Sequence, residues 1–376
     1  MASPSGPGTH IREVIGAFER AGHTVIRQIA GGEELRDAST IQIKPRWWRK
    51  LIPTFVRETI KDYRLKQWDA WQFQTLDALI EREKPDLIYE RGYYLMRSGL
   101  RAAKKHGVRH FLEINAPYPE EKASMSGRGL FHHKASSCER FQAEETNHLF
   151  VVSSALKDYY IQQHGIASDK ITVTPNAVNA DLFADQHIES MRGALKISSA
   201  STVIGFVGSI FPYHGVDVLI RCFASIVQDS RQDLRLLIVG DGETLPALKD
   251  LAEQLKMRDQ ILFSGNIPHH RVMPYIQAMD ICVMAKSNWY GSPVKIFEYG
   301  ALGKAIVAPD VIPVRDVMQS GLHGLLVHDE QSLHDALKNL IQHHALREQL
   351  AAAFYHEVKT KYTWDHVATT ILAHHR

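Results

Sequence analysis

Lys295 and Glu298 stand three residues apart in a segment that predicts the start of a helix, so their side chains share one helix face. A polar loop with Gly291 and Pro293 precedes them, and a predicted strand at residues 281–284 precedes the loop. Open α/β sheets bind ligands beyond the carboxyl ends of their strands, which is where this pair falls. A lysine there can neutralise a diphosphate, and a glutamate can accept hydrogen bonds from ribose hydroxyls. The alternative is a solvated ion pair on a helix surface.

A second candidate phosphate site is the segment at residues 203–217, which predicts a strand, a turn at Gly208 and a helix starting near Gly215. Unpaired backbone amides at such a turn and helix start can bind phosphate. A tight turn that only needs glycine is the alternative. The Gly-Asp-Gly of residues 240–242 lacks the third glycine of a dinucleotide fingerprint, which argues against a nicotinamide cofactor.

In the first half of the chain, polar residues follow two predicted strand ends. Glu90 and Arg91 follow one strand, and Glu113 and Asn115 lie at the end of the next. Because the carboxyl ends of parallel strands meet at one edge of a sheet, we expect these side chains to face a common cleft. Ordinary strand-end and turn chemistry is the alternative, since asparagine before Ala-Pro suits a turn.

The elements that must position these residues follow an α/β pattern, because short apolar runs alternate with longer amphipathic stretches from Pro85 onward. Helices are predicted at residues 97–106 and 155–163, ending at left-handed caps on Gly107 and Gly165. Strands are predicted at residues 86–89, 110–114, 148–152, 171–173, 203–207, 234–239, 261–264, 281–284, 305–308 and 324–327.

A linker at residues 175–201 predicts a first domain at 1–180 and a second at 181–355, with a last helix at 356–376 that crosses back to the first domain. The chain opens with glycines at residues 6–10, before a predicted helix at 11–21. A glycine-rich loop normally follows a strand. Either the first central strand is absent, or another segment takes its place.

Composition limits the possible functions. The 376 residues suffice for two domains, and the 44% apolar and 23% charged fractions are ordinary for a globular protein. A net charge of +2 gives no reason to expect a nucleic-acid partner. The three separated cysteines form no disulfide framework or zinc motif. No stretch approaches the roughly 20 apolar residues of a spanning helix, nor the apolar core of a signal peptide, so we expect a cytoplasmic protein.

An ordered series of motifs runs through most of the chain. The series consists of Val152-Ser153, Asp169-Lys170-Ile171, Pro175-Asn176, Val178, Phe183, Gly208, His214-Gly215, Gly240-Asp241-Gly242, Phe263-Ser264-Gly265, Ser292-Pro293, Lys295, Phe297-Glu298, Gly321, Gly324 to Val327 and Tyr362-Thr363-Trp364. This series resembles glycosyltransferase family 4, and the resemblance covers nearly the whole chain.

The resemblance implies a GT-B fold, with two Rossmann-like domains whose parallel sheets face a central cleft. It implies transfer from a nucleoside diphosphate sugar with retention at the anomeric carbon, and neither a metal nor a cofactor. Helix dipoles and basic side chains would stabilise the departing diphosphate. The second domain would hold the donor, and the donor-binding residues expected there are Gly208, Ser209, His214, Gly215, Ile267, Tyr290, Gly291, Ser292, Pro293, Val294, Lys295 and Glu298.

In the first domain the resemblance implies that residues 8–10 face the donor phosphates across the cleft. We assign Gly8 to donor binding. The residues expected on the acceptor side are Thr9, His10, Glu90 and Arg91, and the expected catalytic residues are Glu113, Asn115 and Lys295.

The chain departs from the family at three positions. Many members have a glutamate at the position of Tyr290, and an arginine and a lysine at the positions of Ser209 and His214. We therefore expect Lys295 to carry more of the phosphate charge than usual, and the amide of Gly291 to replace the missing glutamate. His214 is a candidate to hydrogen-bond a phosphate, and a merely exposed loop histidine is the alternative.

Residues 44–66 carry eight lysines and arginines against two acidic residues, with Trp47 and Trp48 among them. Cations beside tryptophans suit an anionic membrane interface, which predicts docking on the cytoplasmic leaflet of the inner membrane. The alternative is a solvated helix face whose tryptophans pack on the domain.

The resulting hypothesis is transfer of a hexose-type unit to a hydroxyl group in glycan, polysaccharide or glycoconjugate biosynthesis. The acceptor would be a glycan, a lipid-linked molecule or a small molecule. Two alternatives remain, namely a nucleotide-sugar epimerase of the same fold and a non-catalytic nucleotide-sugar-binding protein.

Overall fold

The computed structural model describes residues 6–28, 53–183 and 190–375, which form two compact units. The first unit contains the described residues between 23 and 175, together with residues 369–375. The second contains residues 6–22 and the described residues between 176 and 368. The described chain thus starts in the second unit with helix α1 (Gly6–Arg20) and ends in the first.

The first unit is built on a parallel sheet of four strands in the order β1-β2-β3-β4. The strands are β1 (Leu87–Arg91), β2 (Arg109–Ile114), β3 (His148–Val151) and β4 (Ile171–Val173). The helices are α2 (Thr54–Glu83), α3 (Ser98–His106), α4 (Tyr118–Ser126), α5 (His132–Glu145) and α6 (Ser154–His164). Each crossover contains a helix, as parallel pairing requires, and the α/β prediction for this half is confirmed.

Two helices of this unit end on glycine, as the sequence predicts. Gly107 after α3 has a φ of 67°, and Gly165 after α6 has a φ of 68°. A residue with a Cβ atom is strained in this left-handed conformation, whereas glycine is not. Both caps turn the chain back toward the sheet.

The second unit is built on a parallel sheet of six strands in the order β10-β9-β8-β5-β6-β7. The strands are β5 (Thr202–Val207), β6 (Leu234–Val239), β7 (Ile261–Gly265), β8 (Ile281–Val283), β9 (Ala305–Pro309) and β10 (Leu325–Val327). The helices are α7 (Val216–Asp229), α8 (Leu245–Gln254), α9 (Met273–Gln277), α10 (Val294–Ala301), α11 (Ile312–Arg315), α12 (Glu330–Gln342) and α13 (His344–Lys361). The last helix, α14 (Trp364–Ala373), begins in this unit, and its residues from 369 onward belong to the first. In this doubly wound order the winding reverses between β5 and β8, and such a switch point is where ligands bind.

Strand β5 lies in the middle of this sheet and is covered on both faces. Ile204 and Phe206 pack into the core formed with α7, α8 and α12, whereas Val203 and Val207 pack into the core formed with α10 and α13. Successive residues of a strand point to opposite faces, so a strand covered twice is apolar throughout. The carboxyl end of β5 is therefore held firmly in place.

The prediction of a glycine-rich loop at the start of the chain is wrong. Helix α1 already begins at Gly6, so residues 6–10 are helical. Proline is tolerated in a first helical turn, because its missing amide would have no partner there. Val14, Ala17 and Phe18 are buried at the i, i+3, i+4 spacing of one helix face. This burial offsets the low helix propensity of the two glycines in the first turn.

Candidate functional site

The turn after β5 is a close contact between two backbone segments. Gly208 has a φ of 141°, and its amide donates to the carbonyl oxygen of Val239 at 2.9 Å. A Cβ atom on Gly240 would lie 1.9 Å from the Gly208 oxygen, and one on Gly242 would lie 2.2 Å from the oxygen of Ile210. The glycines after β6 are therefore needed for this close approach, which accounts for a Gly-Asp-Gly that is not a dinucleotide fingerprint.

Lys295, the second residue of α10, places its amine against this turn. Its Nζ lies 4.2 Å from the centre of the Phe206 ring, and a Cβ atom on Gly208 would lie 2.7 Å from it. Although the residue as a whole is partly exposed, Nζ is buried and has no hydrogen-bond partner. Burial lowers the pKa of Lys295 to about 7. The switch point of the second sheet thus contains a buried amine without a counter-charge bonded to it.

Glu298 lies one turn further along α10 and is 6% exposed. Its Oε1 lies 2.7 Å from Nε2 of His269, which begins a short 3₁₀ helix (His269–Arg271) after β7. The hydrogen bond to the carboxylate raises the pKa of His269. Lys295 and Glu298 are therefore not a solvated surface ion pair, because Nζ and the carboxylate are both buried and the carboxylate is bonded to His269.

His269 was missed by the sequence reasoning, although a signal was present. It follows β7 by four residues, at the same edge of the sheet as the ends of β5 and β8. The run His269-His270-Arg271 is a short basic segment at that edge. Because open α/β sheets bind ligands beyond the carboxyl ends of their strands, polar residues at that position are candidate site residues even outside a recognisable motif.

His214 is held by the backbone of its own turn. Its Nδ1 lies 2.5 Å from the carbonyl oxygen of Ser209 and must donate to it, because a carbonyl only accepts. Burial, and then the nearby Lys295, lower the pKa of His214 to about 4. In the neutral ring Nε2 is then an acceptor, which does not suit a phosphate oxygen. Gly215, with a φ of 66°, immediately precedes α7. A Cβ atom on Gly215 would lie 2.7 Å from Cγ of Lys286, so the two residues are in close contact.

The loop before α10 is stabilised internally. The amide of Gly291 donates to Oδ1 of Asn288 at 2.6 Å, so this amide already has a hydrogen-bond partner within the loop. Tyr290 is buried, and Ile267 packs against the core on the α10 face of the sheet. Pro293 immediately precedes α10 and Val294 starts it. Together these contacts fix where the helix begins and hence where Lys295 lies.

A buried chain of hydrogen bonds joins α1 to this loop. Nδ1 of His10 lies 2.9 Å from Oδ1 of Asn176. The backbone amide of Asn176 donates to the Ser292 hydroxyl at 3.0 Å, and its Nδ2 donates to the Ser292 carbonyl at 2.6 Å. The His10 ring also packs edge-on against Trp364, with centroids 4.7 Å apart. His10 and Ser292 therefore stabilise the second unit. Gly8 is buried in α1, and the side chain of Thr9 lies outside the described residues.

In the first unit, four polar side chains meet at the ends of β1 and β2. Three of them were predicted, namely Arg91, Glu113 and Asn115, and the fourth is the neighbouring Tyr89. The hydroxyl of Tyr89 donates to Oε2 of Glu113 at 2.5 Å, and Asn115 also donates to this carboxylate. Nη1 of Arg91 lies 3.4 Å from Oε1 of Glu113. Glu113 is 2% exposed, so the cluster is a buried carboxylate with its partners.

Glu90 does not join this cluster, because it points to the opposite face of the sheet. Its Oε2 accepts from the backbone amide of Leu100 at 3.1 Å and lies 2.8 Å from Nε2 of His110. A Cβ atom on Gly99 would lie 2.4 Å from the same oxygen. The structure therefore gives Glu90 a role in packing α3 onto the sheet. Strand alternation is the reason, since Arg91 next to it faces Glu113.

A small pocket adjoins the Glu113 cluster. Gly92, Tyr93, Ile114 and Tyr118 line part of it, and the rings of Tyr93 and Tyr118 are 6.0 Å apart. The amide of Gly92 donates to the carbonyl oxygen of Glu113 at 2.8 Å, so the cluster and the pocket share a wall. Aromatic rings and polar backbone groups therefore meet beside the cluster.

The basic segment at residues 44–66 is described only from residue 53 onward, so Trp47 and Trp48 lie outside the described residues. The rest lies in α2. In the described part of the chain, no helix combines the length and apolar character needed to cross a membrane.

Two α/β units with parallel sheets, one of them doubly wound with a buried amine at its switch point, define a two-domain α/β protein with a ligand crevice in its second unit. The family model "Glycosyl transferases group 1" matches residues 187–356, and "Glycosyltransferase Family 4" matches residues 4–182. The chain belongs to glycosyltransferase family 4.

The relatives agree with this assignment. A D-inositol 3-phosphate glycosyltransferase of Stackebrandtia nassauensis is 29% identical over 61% of this chain and 53% of its own length. A glycosyltransferase of Rickettsia africae superposes with a TM-score of 0.74 at 16% identity, over 98% of this chain and 93% of that one. Anabaena Alr3699/HepE, solved with UDP, superposes with a TM-score of 0.66 at 16% identity, over 82% of this chain and 81% of that one. These structures show a GT-B fold. The chain spans about half the length of the curated relatives it matches.

Proposed function

We propose that the protein transfers a sugar from a nucleoside diphosphate sugar to an acceptor hydroxyl, with retention at the anomeric carbon. The observation that carries this proposal is the buried, unpartnered amine of Lys295 beside the Gly208 turn. Leaving a buried cation without a partner is costly, and a bound anion removes that cost. A titratable group of this kind at a switch point is a mark of a functional site.

A donor diphosphate fits this position chemically. Its negative charge would favour the protonated form of Lys295, whose pKa near 7 leaves it easily protonated. The amides at the start of α10 add the positive end of a helix dipole. Both charges would stabilise the diphosphate as it leaves, without moving during the reaction. In this proposal no metal ion and no cofactor is needed.

Glu298 would bind the ribose. A carboxylate accepts hydrogen bonds from vicinal hydroxyls, and Glu298 lies on the same helix as Lys295. The Anabaena protein was solved with UDP and with UDP-glucose, which supports a nucleotide sugar as the donor.

The acceptor would bind to the first unit, at the Glu113 cluster and the aromatic rings beside it. Arg91 and Asn115 can donate hydrogen bonds to acceptor oxygens, and Tyr93 and Tyr118 offer aromatic walls. The Stackebrandtia relative is named for a phosphorylated inositol, a small polyhydroxylated acceptor. Glycans and lipid-linked acceptors present the same hydroxyl chemistry.

The proposed reaction breaks the bond between the anomeric carbon and the diphosphate oxygen and forms a bond from that carbon to the acceptor oxygen. The acceptor proton passes to the departing diphosphate on the same face of the sugar, which retains the configuration. No bond to the protein forms. Lys295 and the start of α10 hold the charge on the leaving group, while Glu298 fixes the nucleoside.

The cytoplasmic leaflet is the proposed location, and α2 supports docking there. Three of its carboxylates, those of Glu58, Asp62 and Asp69, are buried, and Asp69 accepts hydrogen bonds from the backbone amides of Arg97 and Ser98 at 2.7 Å each. Its outer surface carries large apolar side chains and cations. These outward residues are Phe55, Val56, Arg57, Ile60, Lys61, Tyr63, Arg64 and Trp71. Apolar groups among cations suit anionic lipid.

Flotation with liposomes tests this docking. We expect the protein to float with vesicles containing phosphatidylserine at low salt, and the Arg57→Glu/Arg64→Glu variant to remain at the bottom. Vesicles of phosphatidylcholine alone serve as the control. Equal flotation of both proteins, or none by the wild type, would reject the membrane surface as a partner.

A thermal-shift panel of nucleoside diphosphates and their sugars tests the central proposal. We expect one base to raise the melting temperature, and Glu298→Ala to remove that rise. Incubation of the selected donor with and without acceptors then identifies the reaction. Transfer only with an acceptor supports the proposal, an isomerised sugar without acceptor would indicate an epimerase, and binding without turnover would indicate a binding protein.

A further inference from the structure

His269 holds one oxygen of the Glu298 carboxylate and leaves the other for a ligand. Nε2 of His269 lies 2.7 Å from Oε1 of Glu298, a distance typical of a charge-assisted hydrogen bond. Oε2 has no such bond to His269. A free carboxylate rotates about its last torsion with little preference, so the histidine restricts which oxygen points away from it.

The histidine itself is fixed by its backbone. Pro268 precedes the 3₁₀ helix and accepts a hydrogen bond from the amide of Arg271 at 2.8 Å. The amide of Val272 donates to the carbonyl oxygen of His269 at 3.1 Å, and Val272 is 5% exposed in the core. His269 therefore belongs to a packed turn that leads directly into α9.

The charges around His269 favour its protonated ring. Glu298 is the largest influence on its raised pKa, and Arg12 and Glu13 of α1 also act on it, with opposite signs. His269 in turn acts on the carboxyl of Glu13. These groups lie on α1, α10 and the 3₁₀ helix, which all belong to the second unit.

We infer that His269 is a positioning residue that orients Glu298 for the two ribose hydroxyls of the donor. This inference rests on the proposed function, because it takes a nucleoside diphosphate as the ligand. His269 acts through the carboxylate and makes no contact with the reacting atoms. Its removal weakens the recognition of ribose and leaves the contact with diphosphate unchanged.

Paired ligands isolate this effect. The probes are the ribonucleoside diphosphate selected by thermal shift and its 2′,3′-dideoxy analogue, titrated calorimetrically into wild type and His269→Leu. We expect the wild type to prefer the ribonucleotide, and His269→Leu to bind the ribonucleotide about tenfold more weakly, the size of one hydrogen bond to a charged group. The affinity for the dideoxy analogue stays within about twofold.

Three further variants complete the test. His269→Gln, whose amide can donate to the carboxylate, restores most of the ribose preference. His270→Leu, at the exposed neighbouring histidine, leaves it unchanged. In a Glu298→Gln background, His269→Leu has no further effect on the preference, because the carboxylate through which it acts is gone. Melting temperatures of all variants establish that each is folded.

The outcomes separate the inference from the proposed function. Equal weakening of both ligands by His269→Leu would overturn the inference, since the histidine would then contact another part of the nucleotide or only stabilise the fold. Unchanged ribose preference would also overturn it. If no nucleoside diphosphate binds the wild-type protein, the proposed function fails, and the inference fails with it.

Discussion

The amine of Lys295 rests directly on the backbone of Gly208: a Cβ atom at Gly208 would lie 2.7 Å from Nζ. The two residues are 87 positions apart, and the sheet brings them together at the end of β5. Nζ has no hydrogen-bond partner there. The space beside the turn is therefore shaped by a glycine that leaves room for a cation.

Gly208→Ala should disturb both the turn and the lysine. The φ of 141° is unfavourable for alanine, and its methyl group would displace Nζ. We expect a loss of about 1–3 kcal/mol in the free energy of unfolding and weaker binding of the nucleoside diphosphate. Denaturant unfolding and calorimetry measure the two effects. Gly193→Ala, where a Cβ atom meets nothing within 4 Å, is the control. Wild-type behaviour of Gly208→Ala would show that the turn tolerates a side chain.

Lys295 should make stability depend on pH in a defined direction. Its pKa is about 7 in the folded state and ordinarily 10.5, so between these values the unfolded chain binds the extra proton. Stability then rises with pH across this window, and the cost of the buried charge is fully present below pH 7. Relative to Lys295→Met, the wild type should gain on the order of 3 kcal/mol between pH 6.5 and 9.5. Denaturant curves at both pH values check this. A difference that does not vary with pH would mean that Lys295 stays protonated.

Ligand binding should be linked to uptake of a proton. At pH 8 the free lysine is mostly neutral, and a diphosphate beside it would favour protonation. We expect calorimetry of inorganic pyrophosphate in Hepes and in Tris to report uptake of nearly one proton by the wild type, and clearly less by Lys295→Met. The affinity of the wild type should fall as the pH rises above 7. Equal uptake by both proteins would assign the proton to another group.

Asn176→Ala should destabilise the second unit, because it removes the side-chain hydrogen bonds to His10 and to the carbonyl oxygen of Ser292 together. The cost should be about 2 kcal/mol for leaving buried polar groups unpaired. His10→Ala should show part of the same loss. Thermal unfolding measures both, and Asn179→Ala, at a partly exposed residue, is the control. If His10→Ala instead costs more free energy of acceptor binding than free energy of unfolding, His10 belongs to the acceptor side, as the sequence predicts.

Glu113→Gln should separate transfer from donor binding. Glu113 belongs to the first unit, whereas Lys295 and Glu298 belong to the second. The change replaces the carboxylate beside Arg91 and weakens two hydrogen bonds, so we expect the loss of roughly 1–2 kcal/mol of stability and of most transfer activity. The dissociation constant of the nucleoside diphosphate should stay the same. Initial rates and calorimetry on one preparation provide the comparison. Unchanged transfer would remove Glu113 from the acceptor site.

The sheets could be predicted from the sequence because their strands are short apolar runs set apart by turns and helices. Every predicted strand overlaps an observed one. The position of Lys295 on a helix beyond the carboxyl end of β8 follows from the same reasoning. Helix α1 could not be predicted over its full length, because glycine and proline at residues 6–8 indicate a loop locally. These residues are helical nevertheless, because burial of Val14 and Phe18 stabilises the helix to which they belong.

The partners of the site residues were harder to predict. His10 and Asn176 are 166 positions apart, and only the tertiary fold pairs them. Glu298 and His269 are 29 positions apart, and the fold of the second unit likewise pairs them. The opposite orientation of Glu90 and Arg91, by contrast, could have been predicted, since neighbours in a strand face opposite sides.

The central claim is that the Lys295 amine is the cation for the donor diphosphate. Calorimetric titration of the selected nucleoside diphosphate at pH 7 into wild type, Lys295→Met and Lys304→Met tests it most directly. Lys304 is a suitable control, because it is another lysine of the second unit with a lowered pKa, and its Nζ already donates to the carbonyl oxygen of Gln277 at 3.1 Å. We predict that Lys295→Met weakens binding at least about tenfold and that Lys304→Met binds like the wild type. Equal affinity of Lys295→Met and the wild type would contradict the claim.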